Sequence, residues 1–355
     1  MSVRVIRPGL QTTVQDLGRK GFRQYGVNVC GAMDPFALRC ANLLVGNAEG
    51  EAALEFAVGG PELYFADSAL IAITGGDFPV RLDGRPLDVL WRPFIIRAGS
   101  VLSIGTARSG VRGYLAVSGG FDIPPVMGSR STDLRAKFGG LDGRPLKAGD
   151  LLRLRRESEF MREMGDGENG PAFEPGSIGG GPLLCPKAVS GQIRPLYGAQ
   201  PYVRVLRGPH FGLLDQESRE RFLSAPYRVR PQSDRMGYRL DGPPLHLSVR
   251  REMVSEAVAF GTVQLPPDGQ PIILMADHAV TGGYPNIAHV IAADLPLVAQ
   301  TPAGADIRFR EVSIAEAQEL IVSREMELRQ LKAAMAIERK AWRHWREPRE
   351  WREQS

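Results

Sequence analysis

The sequence lacks several features that would assign a function directly. Its 355 residues include only three cysteines, Cys30, Cys40 and Cys185. They form no Cys-x-x-Cys pair and have no histidine at ligand spacing, which argues against a disulfide framework or a structural zinc site. We therefore expect reduced thiols in packing roles and no metal site.

Charge and hydropathy exclude two further classes. The chain has 44 basic and 40 acidic residues without a block of five or six like charges, so a nucleic-acid partner is not expected. No apolar run approaches the roughly 18 residues of a membrane span, and the first residues lack the apolar core of a signal peptide. These absences predict a cytoplasmic protein with no membrane partner.

Phosphate-binding and catalytic signatures are also missing. The sequence contains no GxxxxGK[ST] loop, no HExxH pair and no GxSxG elbow, and its glycine-rich stretch at 176–181 is not a GxGxxG turn. A Met-Lys-Met sequence of the kind that carries biotin is absent as well. The chain thus has no recognisable nucleotide pocket of its own.

Glycine and proline are abundant instead, and they divide the chain. The 41 glycines and 27 prolines indicate a turn-rich protein, and a hydrophobic fraction of 43% is enough for a core. Because both residues concentrate between 165 and 200, we predict a linker there. The predicted parts are a first domain at 1–160, a linker at 161–200, a second domain at 201–312 and a charged tail at 313–355.

Short apolar or alternating runs bounded by turn residues predict a mainly β protein. The predicted strands are Val3–Ile6, Leu63–Phe65, Leu70–Thr74, Val101–Ile104, Tyr114–Val117, Leu151–Leu154, Tyr202–Leu206, Tyr227–Val229, Ile272–Met275 and Asp306–Phe309. Helices are predicted at 35–45, where Asp34 is a cap, and at 215–223. A long third helix begins with the capping box Ser313–Glu316, and its apolar spacing is typical of helix pairing.

The two halves share a short internal echo. Gln15-Asp-Leu-Gly-Arg19-Lys-Gly-Phe-Arg23 resembles Gln232-Ser-Asp-Arg235-Met-Gly-Tyr-Arg239 with one residue removed. The order Arg, Gly, aromatic, Arg is kept in both. This favours the duplication of a β domain, although a match this short also arises by chance.

Polar side chains in these segments are candidate ligand-binding groups. Gln15, Asp16 and Arg19 lie in a stretch without apolar periodicity, where they would surround an anionic or amide-bearing ligand. The alternative is a tight turn whose side chains satisfy their own backbone. Asp234 similarly either orients Arg235 toward a ligand oxygen or forms a surface ion pair with it.

The segment 274–285 is the strongest candidate. An apolar strand delivers Asp277 and His278 into a Gly-Gly loop, where Asp277 would set the tautomer of His278 or act as a base itself. Gly282 and Gly283 would offer N–H groups to an oxyanion, between Thr281 and Tyr284. The alternative is a strand end followed by a bulged turn.

Several of these motifs together resemble the biotin-dependent carboxyltransferase family. The resemblance covers residues 1 to about 312 and rests on motifs that match in order. They are 9–19 (GLQTTVQDLGR), 30–35 (CGAMDP), 41–47 (ANLLVGN), 118–122 (SGGFD), 131–133 (STD) and 277–285 (DHAVTGGYP).

This resemblance implies a fold and an activity. The fold would be a tandem of cyclophilin-like β-barrel domains with a few short helices and a long C-terminal helix. The implied activity is that of one component of 5-oxoprolinase, which opens 5-oxoproline to glutamate with ATP, since a lactam is a poor electrophile. It further implies a smaller partner of related fold, the B subunit, and a third component, the A subunit, with ATP bound by a partner or at a shared site.

Two alternatives remain. One is carboxyl transfer to urea or a related amide, which would need biotin from another chain. The other is a non-catalytic regulator that antagonises a kinase inhibitor. In every case the resemblance implies the same ligand-facing residues, divided into catalytic candidates, of which Asp277 or His278 would transfer the proton, and substrate-binding candidates. The first group is Asp277, His278, Asp234 and Arg235, and the second is Gln15, Asp16, Arg19, Thr281, Gly282, Gly283 and Tyr284.

Overall fold

A computed structural model describes residues 1–155, 183–184, 188–198, 200–248 and 253–344. Most of the predicted linker, Cys185 and the end of the tail lie outside these residues, so the domain boundaries stay predictions. The described residues are mainly β, with short helices and one long C-terminal helix, which confirms the predicted fold class. None of their helices has an apolar stretch long enough to span a bilayer.

The strands of the first half form two six-stranded sheets. The first sheet has the order β11-β1-β4-β9-β6-β7 and the second has the order β12-β8-β5-β10-β3-β2. In chain order the strands are β1 (Ser2–Arg7), β2 (Gln11–Gln15), β3 (Ala53–Ala57), β4 (Glu62–Phe65), β5 (Ala69–Asp77), β6 (Val80–Leu82), β7 (Arg85–Leu87), β8 (Pro93–Ile96), β9 (Val101–Ile104), β10 (Ser109–Val117), β11 (Leu151–Arg153) and β12 (Leu183–Leu184).

Alternation along the strands creates the core of this half. In β1, Val3 and Val5 are fully buried while Arg4 between them is exposed, as a two-residue period requires. Both sheets contribute to the same apolar cluster, in which Phe56 and Phe78 meet edge to face with ring centroids 5.0 Å apart. The core therefore lies between the two sheets.

The second half is a closed barrel. Its seven strands follow the order β13-β20-β17-β18-β15-β14-β21, and β16 and β19 form a separate two-stranded antiparallel sheet. The strands are β13 (Tyr202–Arg207), β14 (Pro226–Val229), β15 (Gly237–Asp241), β16 (Glu256–Ala257), β17 (Thr262–Gln264), β18 (Ile272–Leu274), β19 (Thr281–Gly282), β20 (Asn286–Val290) and β21 (Asp306–Glu311). Phe222 and Phe309 stack in its core with ring centroids 4.5 Å apart.

Capping residues set the ends of the helices. Helix α1 (Pro35–Val45) begins at Asp34, whose carboxylate accepts the N–H of Ala37, and ends at Gly46 in the left-handed conformation. Helix α2 (Gln216–Ser224) begins in the same way at Asp215. Helix α3 (Leu295–Ala299) is a short helix of the second half. The helices predicted at 35–45 and 215–223 are thus confirmed.

The long helix α4 (Ile314–His344) leaves the barrel and packs on α1 of the first half. The hydroxyl of Ser313 accepts the N–H of Glu316, so that part of the predicted capping box forms. Leu328, Leu331 and Met335 are buried in one cluster with apolar residues of α1. The spacing that predicts helix pairing therefore reflects a contact within the chain.

Polar groups extend the contact between these helices. The guanidinium of Arg39 on α1 donates to Glu49 at 2.6 Å and to Glu325 on α4 at 2.8 Å. Arg324 lies over the ring of Phe36, with 5.2 Å between the guanidinium carbon and the ring centroid. The helix thus holds the second half against the first.

A side-chain amide makes a second connection between the halves. The Oε1 atom of Gln300 accepts the N–H groups of Val111 and Arg112 at 2.9 Å each, and its Nε2 atom donates to Arg112 O and to Asp34 at 3.0 Å. The register between β10 and β5 shifts between Ser109 and Gly113, so these backbone groups have no partner in β5. Gln300 supplies the missing partners from the other half.

Candidate functional site

The segment after β18 delivers the predicted catalytic pair to a buried position. Asp277 and His278 are 5% and 4% exposed, and a backbone hydrogen bond of 2.8 Å joins Asp277 N to Arg235 O. Asn28 of the first half donates to the carbonyl of Asp277 at 3.4 Å. The segment therefore lies where the two halves meet.

Arg235 and Asp277 form a two-pronged ion pair. Arg235 Nε lies 2.9 Å from one carboxylate oxygen of Asp277, and Nη2 lies 2.8 Å from the other. The same Nη2 donates to Gly31 O at 2.6 Å. Both side chains are almost fully buried, so this pair is desolvated and rigidly oriented.

Sequence analysis missed the acidic residue on the other side of Arg235. Glu55, on β3, accepts a hydrogen bond from Arg235 Nη1 and lies 3.4 Å from Arg112 Nη1. Its second oxygen accepts from Met33 N at 2.9 Å and from the hydroxyl of Tyr114 at 2.8 Å. The sequence does contain one signal of this residue, which is a glutamate within the otherwise apolar run 52–57. A buried acid requires polar partners, so such a glutamate indicates a buried polar site.

The electrostatics separate the two carboxylates. Burial raises the pKa of Asp277, and although Arg235 opposes this, the pKa stays above its usual range. Burial also acts to raise the pKa of Glu55, but Arg235 and Arg112 outweigh it and bring that pKa below its usual range. Two acids with opposite shifts beside one guanidinium are typical of proton-transfer sites.

His278 is held as a neutral imidazole. Its Nδ1 lies 2.6 Å from the carbonyl oxygen of Ala279, so Nδ1 carries the proton and Nε2 keeps its lone pair. Burial lowers the pKa of this ring. The prediction that Asp277 sets the tautomer is wrong, because the Asp277 carboxylate pairs with Arg235 instead.

Gln15 and Arg19 are buried with polar atoms left unpaired. Arg19 is 1% exposed, donates to Ser131 O, and lies over the ring of Phe138 with 4.6 Å to the centroid. Its Nε and Nη1 have no partner among the described residues, and neither has Oε1 of Gln15. An unpaired buried guanidinium is costly, which favours an anionic ligand beside it.

Gln15 lies in a strand and not in the tight turn that was the alternative interpretation of this motif. Gln11–Gln15 is strand β2, paired with β3, so that part of the motif is a buried edge strand. Asp16 follows it and accepts from the hydroxyls of Ser129 and Ser131 at 2.7 and 2.6 Å. Asp16 thereby anchors the segment that carries the carbonyl partner of Arg19.

The remaining predicted residues lie at the surface. Asp234 is exposed and accepts the N–H groups of Met236 and Gly237, so it stabilises a turn and does not contact the guanidinium of Arg235. Asp234, Thr281 and Tyr284 line one cavity of about 260 Å³. Gly282 lies in β19, which pairs with β16, and Gly283 follows it and is exposed. The structure therefore separates the predicted residues into a buried set and a surface set.

A cleft next to the buried set is the place to test whether this chain could bind ATP by itself. It encloses about 440 Å³ between Lys20, Cys30, Arg39 and, from the second half, Phe260. Arg39 is already neutralised by Glu49 and Glu325, so Lys20 is the one cation left to meet a polyanion among the described residues that line the cleft. The cleft therefore does not fit a triphosphate by itself. Within the described ranges, no three His, Cys, Asp or Glu side chains are grouped to hold a metal ion.

Cys30 separates this cleft from the buried charges. It is 6% exposed, its φ of 56° is in the left-handed region, and burial raises the pKa of its thiol. Cys30 and Cys40 are both free and buried, as predicted. A buried thiol of this kind is a packing group and not a nucleophile.

Comparison with known proteins identifies relatives along nearly the whole chain. The chain is 40% identical over 322 residues to the C subunit of 5-oxoprolinase from Haemophilus influenzae, covering 91% of this chain and 95% of the relative. It is 41% identical over 315 residues to the Escherichia coli protein of the same name, covering 89% and 93%. It is 32% identical to the urea amidolyase of Saccharomyces cerevisiae, covering 93% of this chain and 18% of that one.

A solved structure has the same fold. The urea carboxylase of Kluyveromyces lactis matches with a TM-score of 0.81 at 30% identity, covering 93% of this chain and 29% of that one, so this chain corresponds to a minor part of the larger enzyme. The model of the carboxyltransferase domain, subdomains A and B, matches residues 25–311. This match confirms the resemblance seen in the motifs. The chain belongs to the carboxyltransferase-domain family.

Proposed function

We propose that this chain is one component of an ATP-dependent 5-oxoprolinase, which hydrolyses the cyclic amide bond of 5-oxoproline to give glutamate. The observation that carries the proposal is the 40% identity, over nearly the full length of both chains, with a relative named as the C subunit of 5-oxoprolinase. The buried acid–base groups at the boundary between the halves support it. We also propose that the protein acts in the cytoplasm.

The buried residues have separate roles in this proposal. Asp277, with its raised pKa, transfers a proton to or from the reacting group, and Arg235 orients its carboxylate. His278 is neutral near pH 7, and its Nε2 lone pair makes it the second candidate base. The positions of Asp277, Arg235 and His278 support these roles first, and the directions of the pKa shifts support them second.

The unpaired groups in the first half suit the polar atoms of 5-oxoproline. Its carboxylate would be bound by the guanidinium of Arg19, whose Nε and Nη1 have no partner in the described parts of the chain. Its lactam N–H would be bound by Oε1 of Gln15. Asp16 positions the segment that contacts Arg19. Thr281 and Tyr284 line the surface cavity, and Gly282 and Gly283 lie between them in the chain.

The proposal includes partners. We propose that the enzyme is completed by a smaller protein of related fold and by a third component. ATP would bind to a partner or at a shared site, because Lys20 is the one unneutralised cation among the described residues that line the cleft. Asp234 would act at the surface cavity and not at Asp277, since its carboxylate caps a turn.

A second candidate is carboxyl transfer to urea or a related amide. The urea carboxylase of K. lactis, at a TM-score of 0.81, is the observation that favours it. Biotin would then come from another chain. The charge of Arg19 favours the main proposal, because 5-oxoproline carries a carboxylate and urea does not.

Co-expression with the two partner proteins tests the proposal. The purified assembly should form glutamate from 5-oxoproline only when ATP is present. Asp277→Asn should reduce kcat by about 10²–10⁴-fold, the usual contribution of a general acid or base. Asp268→Asn, at an exposed turn of the same barrel, is the matched control and should leave kcat unchanged. An assembly that forms but makes no glutamate refutes the assignment.

A further inference from the structure

Four buried charged side chains form one cluster across the boundary between the halves. Glu55 and Arg112 belong to the first half, and Arg235 and Asp277 belong to the second. All four are at most 5% exposed. With both acids ionised the cluster is neutral, so any proton that Asp277 gains leaves a net positive charge.

Arg235 is shared between the two acids. Its Nε and Nη2 hold Asp277 at 2.9 and 2.8 Å, while its Nη1 donates to Glu55. Glu55 is fixed by strand β3 and by hydrogen bonds from Met33 N and Tyr114. The first half therefore sets the position of the guanidinium that orients the candidate proton-transfer group.

The charge of Glu55 also acts on Asp277 directly. The two carboxylates repel each other, and each competes for the same guanidinium. Other charged or titratable groups near Asp277, among the described residues, include Asp133, Cys30 and His278. Asp133 adds to the repulsion, whereas Arg112 pairs with the same oxygen of Glu55 that accepts from Arg235.

We propose that Glu55 is a positioning residue of the site: it holds Arg235 from the first half and thereby tunes the proton affinity of Asp277 across the boundary. The catalytic part of this proposal rests on the proposed function. The electrostatic part is a property of the chain alone. The two parts can therefore fail separately.

Two substitutions should move the titration of Asp277 in opposite directions. Glu55→Gln keeps an oxygen for Arg235 Nη1 and removes the negative charge, so the pKa of Asp277 should fall by about one unit. Arg112→Gln removes a positive charge and leaves Glu55 with Arg235 alone, so the pKa of Asp277 should rise. Asp268→Asn removes a negative charge at an exposed turn of the same barrel, outside the cluster, and should not shift it.

The titration is measured on the isolated full chain. Aspartate labelled with ¹³C at the side-chain carboxyl gives the pKa, and the signal of Asp277 is the one missing from Asp277→Asn. In the active assembly, the acidic limb of the kcat–pH profile should move in the same direction as the titration. If Glu55→Gln does not fold, Arg112→Gln still provides the test.

The outcomes are distinct. Opposite shifts for Glu55→Gln and Arg112→Gln, with none for Asp268→Asn, support the proposal. Shifts below about 0.3 units in both variants, or shifts of the same sign, overturn it. Opposite shifts in a chain whose wild-type assembly makes no glutamate refute the proposed function and leave the electrostatic role of Glu55 in place.

Discussion

Arg235→Lys tests whether the fork geometry at the boundary matters beyond its charge. The guanidinium contacts both oxygens of Asp277, one oxygen of Glu55 and Gly31 O. A lysine ammonium keeps the charge, but its single nitrogen cannot reach all of these groups. At least two charge-assisted hydrogen bonds at about 1.5–3 kcal/mol each are lost, so we expect a destabilisation of about 3–6 kcal/mol.

Urea denaturation of the wild-type and variant chains measures this loss, followed by circular dichroism and by tryptophan fluorescence. Arg230→Lys is the matched control, since Arg230 pairs with Asp241 at 3.0 Å at the surface and should contribute under about 1 kcal/mol. A loss for Arg235→Lys no larger than that of the control would refute the reasoning, because it would mean that charge alone satisfies both acids.

Three further substitutions test other parts of the chain. Leu328→Ala should lower the free energy of unfolding in urea by about 2–5 kcal/mol, because Leu328 is 1% exposed against α1. Met326→Ala, at 55% exposure on the same helix, should lower it by under about 0.5 kcal/mol. Equal losses would contradict the docking of α4. Burial lowers the pKa of His278 from 6.5, so its contribution to stability should be lost as pH falls below about 6.5, and His278→Gln should flatten the stability–pH curve between pH 5 and 7. Gln300→Ala leaves backbone groups of β10 unpaired, so hydrogen exchange at the Val111 amide should accelerate at least tenfold while amides later in the strand stay protected, and unchanged exchange would contradict this role.

The strands that contain clear apolar runs were predictable, because such runs report burial directly. All ten predicted strands coincide with observed ones, including Leu70–Thr74 within β5 and Asp306–Phe309 within β21. The other eleven strands of the described residues were missed, and they include the apolar β3 (Ala53–Ala57) and β8 (Pro93–Ile96) as well as the polar β2 (Gln11–Gln15). In β2, Thr12, Thr13 and Gln15 are buried by pairing with β3 and by the segment at 131–132, which no local pattern reveals.

The internal echo predicted that residues 15–23 and 232–239 have the same structure, and they share it only in part. Gly237–Arg239 is part of strand β15, whereas the corresponding residues 21–23 lie in a loop and a short 3₁₀ helix. Arg19 and Arg235 are nevertheless both buried. The partners of Arg235 come from residues 180 and 42 positions away in the chain, so spacing alone could not identify them.

The ion pairs that cross the boundary constrain how relatives of this protein recombine. Glu55 belongs to the first half, whereas Arg235 and Asp277 belong to the second. A chimaera that joined the first half of one relative to the second half of another would leave a buried charge unpaired unless both parents carried the same partners. If the halves arose by duplication, neither has since been free to change its side of this contact alone. Sequence drift at position 55 should therefore be accompanied by drift at position 235.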